Sequence, residues 1–280
     1  MKIAIFGIGL LGGSLAKDLR ASKFASEIIG VENSETHAEK ALELGLVNRV
    51  ETKENAIAEA DLIILTVPVN ALIDELKFVL ERISPHQIVT DAGSTKGVII
   101  DAVKNSPNRN RYVASHPIAG TEFSGPTAAI SGLFKDKICI FCDVENSDAD
   151  AVETVEKMYR TTGMDIKQME SHQHDMHAAY ISHISHISSF VLAATVLEKE
   201  QDEEAIFEMA GGGFESTVRL AKSSPQTWSP IFEQNKSYLL EAIDTYIEKM
   251  YHVRNLINKK KFAELEEFMS EANEIKKILK

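Results

Sequence analysis

Short apolar runs alternate with longer amphipathic stretches along roughly the first 165 residues. The apolar runs are rich in β-branched residues, which is typical of buried strands, and the stretches between them place apolar residues at helical spacing. This strand–helix–strand order predicts a mostly parallel sheet with helices on both faces. The predicted strands are Lys2–Phe6, Glu27–Val31, Leu62–Thr66, Gln87–Asp91, Tyr112–Ser115, Lys137–Cys142 and Asp165–Gln168. Helices between them include Ala71–Arg82 and Asp150–Thr162.

After residue 170 the strand signals nearly disappear and helical spacing takes over. Ser171 is placed to cap the first long helix. We expect an α/β protein with an N-terminal Rossmann-type doubly wound sheet (residues 1–170) and an all-helical C-terminal domain (residues 171–280). The helices of this C-terminal domain have broad apolar faces, and the domain is too small to bury them by itself. This predicts a homodimer through the domain. The predicted helices are Gln173–Lys199, Asn235–Asn258 and Phe262–Leu279.

The first predicted strand runs directly into Gly7-Ile8-Gly9-Leu10-Leu11-Gly12, which opens a helix. In this context G-x-G-x-x-G is typical of a dinucleotide site. The glycines permit a tight turn, close approach of a pyrophosphate to the backbone, and close packing of helix on strand. Glu32 ends the second strand about 20 residues further on, where a carboxylate accepts ribose hydroxyls and repels a 2′-phosphate. We therefore expect NAD as the cofactor rather than NADP.

The chain is acidic, with a net charge of −12, and is 44% apolar. This charge disfavours nucleic acid and anionic membranes as partners. No uninterrupted apolar run reaches the ~18–20 residues that span a bilayer, and the first strand begins at Lys2, so we expect a cytoplasmic protein. Cys139 and Cys142 lie at positions i and i+3 of one predicted strand and should face opposite sides. Without a second pair they predict buried thiols and no metal.

Polar clusters follow three predicted strands at their carboxyl ends, where a doubly wound sheet binds ligands. Val67 and Pro68 follow the first of these strands and expose backbone to a cofactor. The segment Asp91–Lys96 supplies a glycine, the hydroxyl of Ser94 and a cation. His116 stands before a proline and a glycine turn. A structural hydrogen bond is the alternative role for His116, but its position favours catalysis.

Several of the nine histidines fall early in the helical half. His183 and His186 are one turn apart and can face the same cleft. A metal site is the alternative, but the cluster lacks the H-E-x-x-H arrangement. Further along, Arg219 can hold a carboxylate through two hydrogen bonds. Surface positions are expected for His172, His174 and His177.

Five segments carry a resemblance: Gly7–Ser14, Asp91–Lys96 (DAGSTK), His116–Glu122 (HPIAGTE), Ser182–His186 (SHISH) and Gly211–Trp228 (GGGFESTVRLAKSSPQTW). In them the chain resembles the prephenate dehydrogenase family, which includes arogenate dehydrogenases, over nearly its whole length. The third and fifth segments together are highly specific, whereas the glycine loop alone is not. The resemblance implies NAD-dependent oxidative decarboxylation of prephenate to 4-hydroxyphenylpyruvate in tyrosine biosynthesis, or the corresponding reaction of arogenate.

The resemblance also implies roles for single residues. His116 hydrogen-bonds the ring hydroxyl of the substrate, and a neutral imidazole there can take the hydroxyl proton as a general base. Ser94 is its partner beside the nicotinamide. The implied substrate contacts are Thr121, His183, His186, Gly212, Arg219 and Trp228. The expected cofactor contacts are Gly7, Ile8, Gly9, Leu10, Leu11, Gly12, Glu32, Val67, Pro68 and Ser94.

Three points stay open in the sequence. Some family members have a gating ion network between Glu122 and the arginine, but Ser216 stands where an acidic residue is expected. A β-hydroxyacid dehydrogenase would need a lysine base on the long helix, which carries no lysine before Lys199. An NAD sensor without turnover would need no base beside the nicotinamide, and usually a further interaction domain.

Overall fold

The protein is built on an eight-stranded sheet, seen in a computed structural model that describes residues 1–202 and 206–278. The strand order is β3-β2-β1-β4-β5-β6-β7-β8, and neighbours are parallel except β6 and β7. The order reverses around β1, and a doubly wound sheet binds its ligand at such a switch point. The strands are β1 (Lys2–Phe6), β2 (Glu27–Val31), β3 (Arg49–Val50), β4 (Leu62–Leu65), β5 (Ile88–Asp91), β6 (Tyr112–Pro117), β7 (Ile138–Cys142) and β8 (Asp165–Met169).

Helices cover both faces of the sheet, as the alternating pattern predicts. Buried residues of α1, α2 and α6 form one apolar cluster, and those of α3, α4 and α5 form another. Successive residues of β1 point to opposite faces of the sheet, so Ile3 and Ile5 belong to the first cluster and Ala4 and Phe6 to the second. The helices are α1 (Leu10–Ala21), α2 (Glu35–Glu43), α3 (Lys53–Glu59), α4 (Val69–Leu80), α5 (Gly97–Val103) and α6 (Ala149–Thr161).

The two cysteines confirm their predicted orientation. Both are free and buried, and Cys139 lies in the cluster on one face of the sheet while Cys142 lies in the cluster on the other. Burial raises the pKa of both thiols, so they are protonated and unreactive at neutral pH. Their C-x-x-C spacing is therefore a consequence of strand geometry.

Strand β6 continues two residues beyond its predicted end. His116 and Pro117 are included because they pair with Ile140 and Cys139 of the antiparallel strand β7. The prediction stopped at Ser115 because proline disfavours a central strand. Among the residues that the structure describes, β3 is the one strand absent from the prediction, because its two residues are too few to form a pattern.

Beyond the sheet, the described chain is helical. The first long helix has three parts, α7 (Ser171–Ala178), a π-helical turn (Ala179–His183) and α8 (Ile184–Asp202). Its cap differs from the prediction: the Glu170 carboxylate accepts the Gln173 N–H at 2.7 Å, and Ser171 is already the first helical residue. The later helices are α9 (Gly212–Val218), α10 (Pro225–Gln234), α11 (Lys236–Asn258) and α12 (Phe262–Ala272).

The end of the last predicted helix differs from the structure. Helix α12 ends at Ala272 and a 3₁₀ helix, Asn273–Lys277, follows; Leu279 lies outside the described residues. Contacts between Cα atoms divide the chain into two units, Met1–Asn235 and Lys236–Lys280. The boundary expected near residue 170 remains a prediction.

The stretch Ser171–Glu200 is long and apolar enough, by length and composition alone, to cross a membrane. Polar and charged residues such as Asp175 interrupt its apolar runs, so the sequence analysis above did not predict this property. The same stretch buries Asp175 and His183, which form hydrogen bonds within the protein. An apolar helix that packs in a protein core or interface passes the same test, so length and composition are weak support for a membrane span.

Candidate active site

The glycine loop has the geometry that a dinucleotide requires. Gly7 has a φ of +87°, and an added Cβ would lie 3.0 Å from the Thr66 carbonyl oxygen. A Cβ on Gly12 would lie 2.2 Å from the Gly7 carbonyl oxygen. Gly9 caps α1 without a side-chain hydrogen bond, and a Cβ there would meet no protein atom within 4 Å. The space in front of Gly9 and the free N–H groups of α1 therefore fit a pyrophosphate.

Glu32 lies at the end of β2 and is tied to this loop. Its carboxylate accepts the backbone N–H of Ile8 at 3.0 Å and that of Ser34 at 3.1 Å. A carboxylate has about four acceptor positions, so two remain for the hydroxyls of a ribose. The side chain is half-buried and faces a cavity, which is the position that the sequence predicts for it.

That cavity, of about 470 Å³, extends from the glycine loop to the segment after β6. Strand ends, the segment 119–125 and helix α10 form its walls. The candidate residues that line it are Gly7, Gly9, Leu10, Leu11, Glu32, Val67, Pro68, Ser94, Thr121 and Trp228. Candidate residues outside its lining are Ile8, Gly12, His116, His183, His186, Gly212 and Arg219.

Ser94 is held by a buried polar network beneath the segment Asp91–Lys96. Lys96 is fully buried and forms an ion pair with Asp91, and its ammonium also donates to the Ser115 carbonyl oxygen at 2.8 Å. The Asp91 carboxylate also accepts the Tyr112 hydroxyl at 2.8 Å. Lys96, the cation that the sequence places in this segment, is therefore a structural residue whose charge is paired with Asp91. Ser94 is half-buried and lines the cavity.

His116 is half-buried and is the second-to-last residue of strand β6, just before the cavity-lining segment 119–125. Its Nδ1 lies 2.8 Å from Nε2 of His174, and the two rings meet edge to face. Burial lowers the pKa of His116 well below the usual histidine value, and the neighbouring His174 and Lys96 side chains lower it further. At neutral pH the imidazole is therefore uncharged, as a general base must be.

The surface position predicted for His174 is wrong. His174 is 3% exposed and lies between His116 and Asp175, whereas His172 and His177 are exposed as predicted. Sequence reasoning missed this contact because His116 and His174 are 58 positions apart and lie on different elements.

Asp175 and Asn235 are functional candidates that the sequence did not reveal. The Asp175 carboxylate accepts the backbone N–H groups of Lys96 and Gly97, each at 2.8 Å, and so caps helix α5 from another element. The side-chain amide of Asn235 donates to the Asp175 carbonyl oxygen at 2.7 Å and to Nδ1 of His183 at 3.0 Å. No local pattern marks Asp175, since Lys96 is 79 positions away.

His183 and His186 do lie on one side of their helix, as the spacing predicts. Trp228 contacts both rings: it stacks on His186 with centroids 3.4 Å apart and meets His183 edge to face. Burial lowers the pKa of His183 to about 4 and also lowers the pKa of His186. Of the two, His183 is the buried hydrogen-bonding residue, and half-buried His186 is joined through Trp228 to the cavity.

Arg219 lies on a 3₁₀ segment, Arg219–Lys222, and its guanidinium is 3.7 Å from the Glu122 carboxylate. The arginine side chain is 53% exposed, so it is accessible to a ligand. Glu215, next to the missing acidic position, pairs instead with Lys222 at 3.6 Å. Gly212 begins α9, is exposed and does not line the cavity.

Comparisons with known proteins agree along the chain. The family model for the prephenate dehydrogenase nucleotide-binding domain matches residues 15–168, and the model for the prephenate dehydrogenase dimerization domain matches residues 170–271. A prephenate dehydrogenase of Bacillus subtilis (strain 168) is 29% identical over 262 residues, which are 91% of this chain and 70% of that protein.

Two solved structures extend the comparison. A prephenate dehydrogenase from A. aeolicus, in complex with hydroxyphenyl propionate and NAD+, is 30% identical with a TM-score of 0.92, covering 100% of this chain and 98% of its own. Synechocystis arogenate dehydrogenase is 26% identical with a TM-score of 0.78, covering 99% of each chain.

Proposed function

The chain belongs to the prephenate dehydrogenase family, and from this premise we propose that it catalyses the NAD-dependent oxidative decarboxylation of prephenate to 4-hydroxyphenylpyruvate in tyrosine biosynthesis. The observation that carries the proposal is the shared cavity. The glycine loop and Glu32 line it at one end, and Ser94, Thr121 and Trp228 line it elsewhere. A cofactor on the loop and a small substrate beside Ser94 therefore have room to meet.

NAD fits the residues present. The open space at Gly9, the uncapped N–H groups of α1 and the two unused acceptor positions of Glu32 would hold its pyrophosphate and ribose. When bound, NAD+ supplies the hydride acceptor, and the protein supplies position and electrostatics. The A. aeolicus relative binds NAD+ together with hydroxyphenyl propionate, an aromatic carboxylate, which supports the same pairing here.

His116 would move the proton of the reaction. Its Nδ1 is engaged with His174, so Nε2 is the nitrogen that can accept the proton of the substrate's ring hydroxyl. As hydride leaves the hydroxyl-bearing carbon, loss of this proton converts the hydroxyl to a carbonyl. The electron pair of the ring-carboxylate bond then enters the ring as CO2 departs, and His116 returns its proton to the phenolate oxygen. The aromatic product makes the reaction effectively irreversible.

The substrate carries two carboxylates, whereas the chain has a net charge of −12. Binding of the carboxylates therefore needs a cationic side chain in the site. Arg219 is the accessible candidate, and its Glu122 partner at 3.7 Å is close enough to orient it. We assign Thr121 and Trp228, which line the cavity, and His186, which stacks on Trp228, to the remaining walls of the substrate site. Gly212, exposed outside the lining, and His183, buried outside it, are the weaker assignments. A gate formed by Glu122 and Arg219 remains a hypothesis.

Arogenate is the second candidate substrate, favoured by the similarity to Synechocystis arogenate dehydrogenase. The two substrates differ only at the side chain, where arogenate has an ammonium group and prephenate a keto group. A carboxylate beside that group would favour arogenate. Glu122 is the cavity-lining carboxylate beside Thr121, and its pairing with Arg219 favours the keto acid.

The test is absorbance at the NADH wavelength with prephenate, arogenate and a 3-hydroxy acid in parallel, each with NAD and with NADP. We expect turnover with prephenate and NAD. The variant His116→Asn should lower kcat by about 10²–10⁴-fold, the usual contribution of a general base, with unchanged NAD affinity by calorimetry. The exposed His86→Asn is the matched control. Normal turnover of His116→Asn would remove the base role, and turnover with the 3-hydroxy acid alone would remove the proposed substrate.

We further propose a cytoplasmic homodimer with a domain boundary near residue 170. The match of residues 170–271 to a dimerization domain supports both the boundary and the assembly. Exposed apolar side chains on the first long helix, such as Ile181, Val191 and Leu197, support burial of this surface against a second copy. The same burial accounts for the apolar composition of the helix without a membrane.

A further inference from the structure

Three side chains form a continuous line from the candidate base into the protein interior. His116 Nδ1 lies 2.8 Å from His174 Nε2, and His174 Nδ1 lies 2.8 Å from an oxygen of Asp175. His174 and Asp175 are 3% and 2% exposed, so solvent does not compete for these bonds. The line joins strand β6, which carries His116, to helix α7, which carries the other two.

The proton positions along this line follow from the donors at its buried end. Each Asp175 oxygen accepts a backbone N–H, from Lys96 and from Gly97. A carboxylate offers only acceptor atoms, and both oxygens of this one already accept N–H donors, so Nδ1 of His174 carries the proton between the two side chains. Nε2 of a neutral His174 then has only a lone pair, and the proton between the two rings must belong to Nδ1 of His116.

We propose that His174 and Asp175 are positioning residues that fix His116 in its Nδ1–H tautomer and so leave Nε2 unprotonated, ready to accept the substrate's hydroxyl proton. The tautomer is independent of the reaction, whereas its catalytic consequence rests on the proposed function. In the opposite tautomer Nε2 would carry a proton and could not act as the base. Position and ring orientation alone do not decide between the two forms, because both nitrogens can donate or accept.

The line also stabilises the charged form that His116 adopts during turnover. When Nε2 takes a proton, the imidazolium keeps its Nδ1–H bond to His174, and the Asp175 carboxylate stands behind that ring. Other titratable groups near His116 include Lys96, His183 and Cys139. Lys96 is paired with Asp91, and the pKa shifts of His183 and Cys139 keep both neutral, so Asp175 is the anion aligned with the base.

Asp175 connects this line to the cofactor side of the site as well. By holding the N–H groups of Lys96 and Gly97, it fixes the end of the segment that carries Ser94. The contact is close: a Cβ on Gly97 would lie 2.8 Å from His172 and 3.1 Å from Asp175. One carboxylate therefore sets the tautomer of the base and the position of the loop beside it.

The tautomer can be measured directly, without turnover. Protein labelled with ¹⁵N-histidine gives long-range ¹H–¹⁵N correlations whose pattern distinguishes Nδ1–H from Nε2–H rings, and the signals of His116 are those missing from His116→Asn. At neutral pH we expect wild-type His116 to be the Nδ1–H form. A wild-type Nε2–H form overturns the proposal whatever the variants do, including any that fail to fold.

Two substitutions at position 174 then test the consequence. His174→Leu removes the acceptor, and we expect a mixed tautomer at His116 and a fall in kcat of at least about tenfold, with KM for prephenate within about twofold. His174→Gln keeps an acceptor oxygen and should restore both the tautomer and most of kcat. The control is His172→Gln, which changes an exposed histidine of the same helix.

The outcomes separate this proposal from the proposed function. A shifted tautomer with unchanged kcat in His174→Leu overturns the positioning role, and equal losses in the Leu and Gln variants would indicate packing alone. If prephenate is not oxidised at all, the proposed function fails, while an Nδ1–H ring in wild type that changes in His174→Leu still supports the tautomer assignment.

Discussion

At the scale of single residues, the chemistry of this protein depends on which charges are already paired. Lys96 and Asp91 neutralise each other below the site, so neither offers a free charge to the substrate. His116 is kept neutral by burial, which suits a base. Arg219 is more than half exposed, so its guanidinium is accessible to a substrate carboxylate while it stays beside Glu122.

We therefore predict that Arg219→Ala raises KM for prephenate by about 10- to 100-fold with a smaller effect on kcat, since a hydrogen-bonded charge pair contributes ~1.5–3 kcal/mol. Steady-state kinetics at fixed NAD measure this. Lys222→Ala is the matched control, because Lys222 lies on the same 3₁₀ segment and pairs with Glu215. An unchanged KM would exclude Arg219 from substrate binding.

At the scale of elements, the glycines of the turn between β1 and α1 are needed for different physical reasons. Gly12 is required by the fold, because a Cβ there would meet the Gly7 carbonyl and the Thr66 hydroxyl. The fold does not require Gly9, because a Cβ there meets no protein atom outside its chain neighbours within 4 Å. That Cβ would instead occupy the space in front of the helix N-terminus, where we expect the pyrophosphate. The sequence motif contains both requirements without distinguishing them.

Alanine at each position separates these two reasons. We predict that Gly12→Ala lowers the melting temperature of the cofactor-free protein by several degrees, since overpacking against backbone costs ~1–3 kcal/mol. Gly9→Ala should leave that temperature within about 1 °C and weaken NAD binding by at least about tenfold. Calorimetry gives both quantities. Equal melting temperatures for the two variants would contradict the distinction.

At the scale of the whole molecule, the first long helix leaves large apolar side chains exposed in the single chain. Val191 is 59% exposed and Leu197 is 55% exposed, and both lie on α8. A helix this apolar is either covered by protein or placed in lipid. The match to a dimerization domain favours a second copy of the chain.

We accordingly predict that Val191→Glu shifts the protein from dimer to monomer at micromolar concentration. An unpaired charge in an apolar interface costs several kcal/mol, enough to raise the dimer Kd at least about a hundredfold. Light scattering after size-exclusion chromatography measures the mass. Leu42→Glu, which alters an exposed apolar residue of α2, serves as the control and should remain dimeric. A dimeric Val191→Glu would place the interface elsewhere.

The sequence by itself determined what depends on local pattern. Apolar runs and helical spacing predicted the sheet with its helices, and strand geometry predicted the opposite orientations of Cys139 and Cys142. The glycine pattern predicted the turn with Glu32. Each of these is a short-range consequence of backbone geometry. Distinctive segments such as HPIAGTE were sufficient to indicate the family.

Only the tertiary structure decided what depends on long-range contact. In the structure His174 is buried beside His116 and not at the surface. Pairing with β7 extends β6 through His116. Asp175 binds the backbone at the end of the segment that carries Ser94. These partners lie far apart in the chain and on different elements. A hydrogen bond between such residues leaves no periodic trace in the sequence, since only the packing of helix against sheet brings the two atoms together.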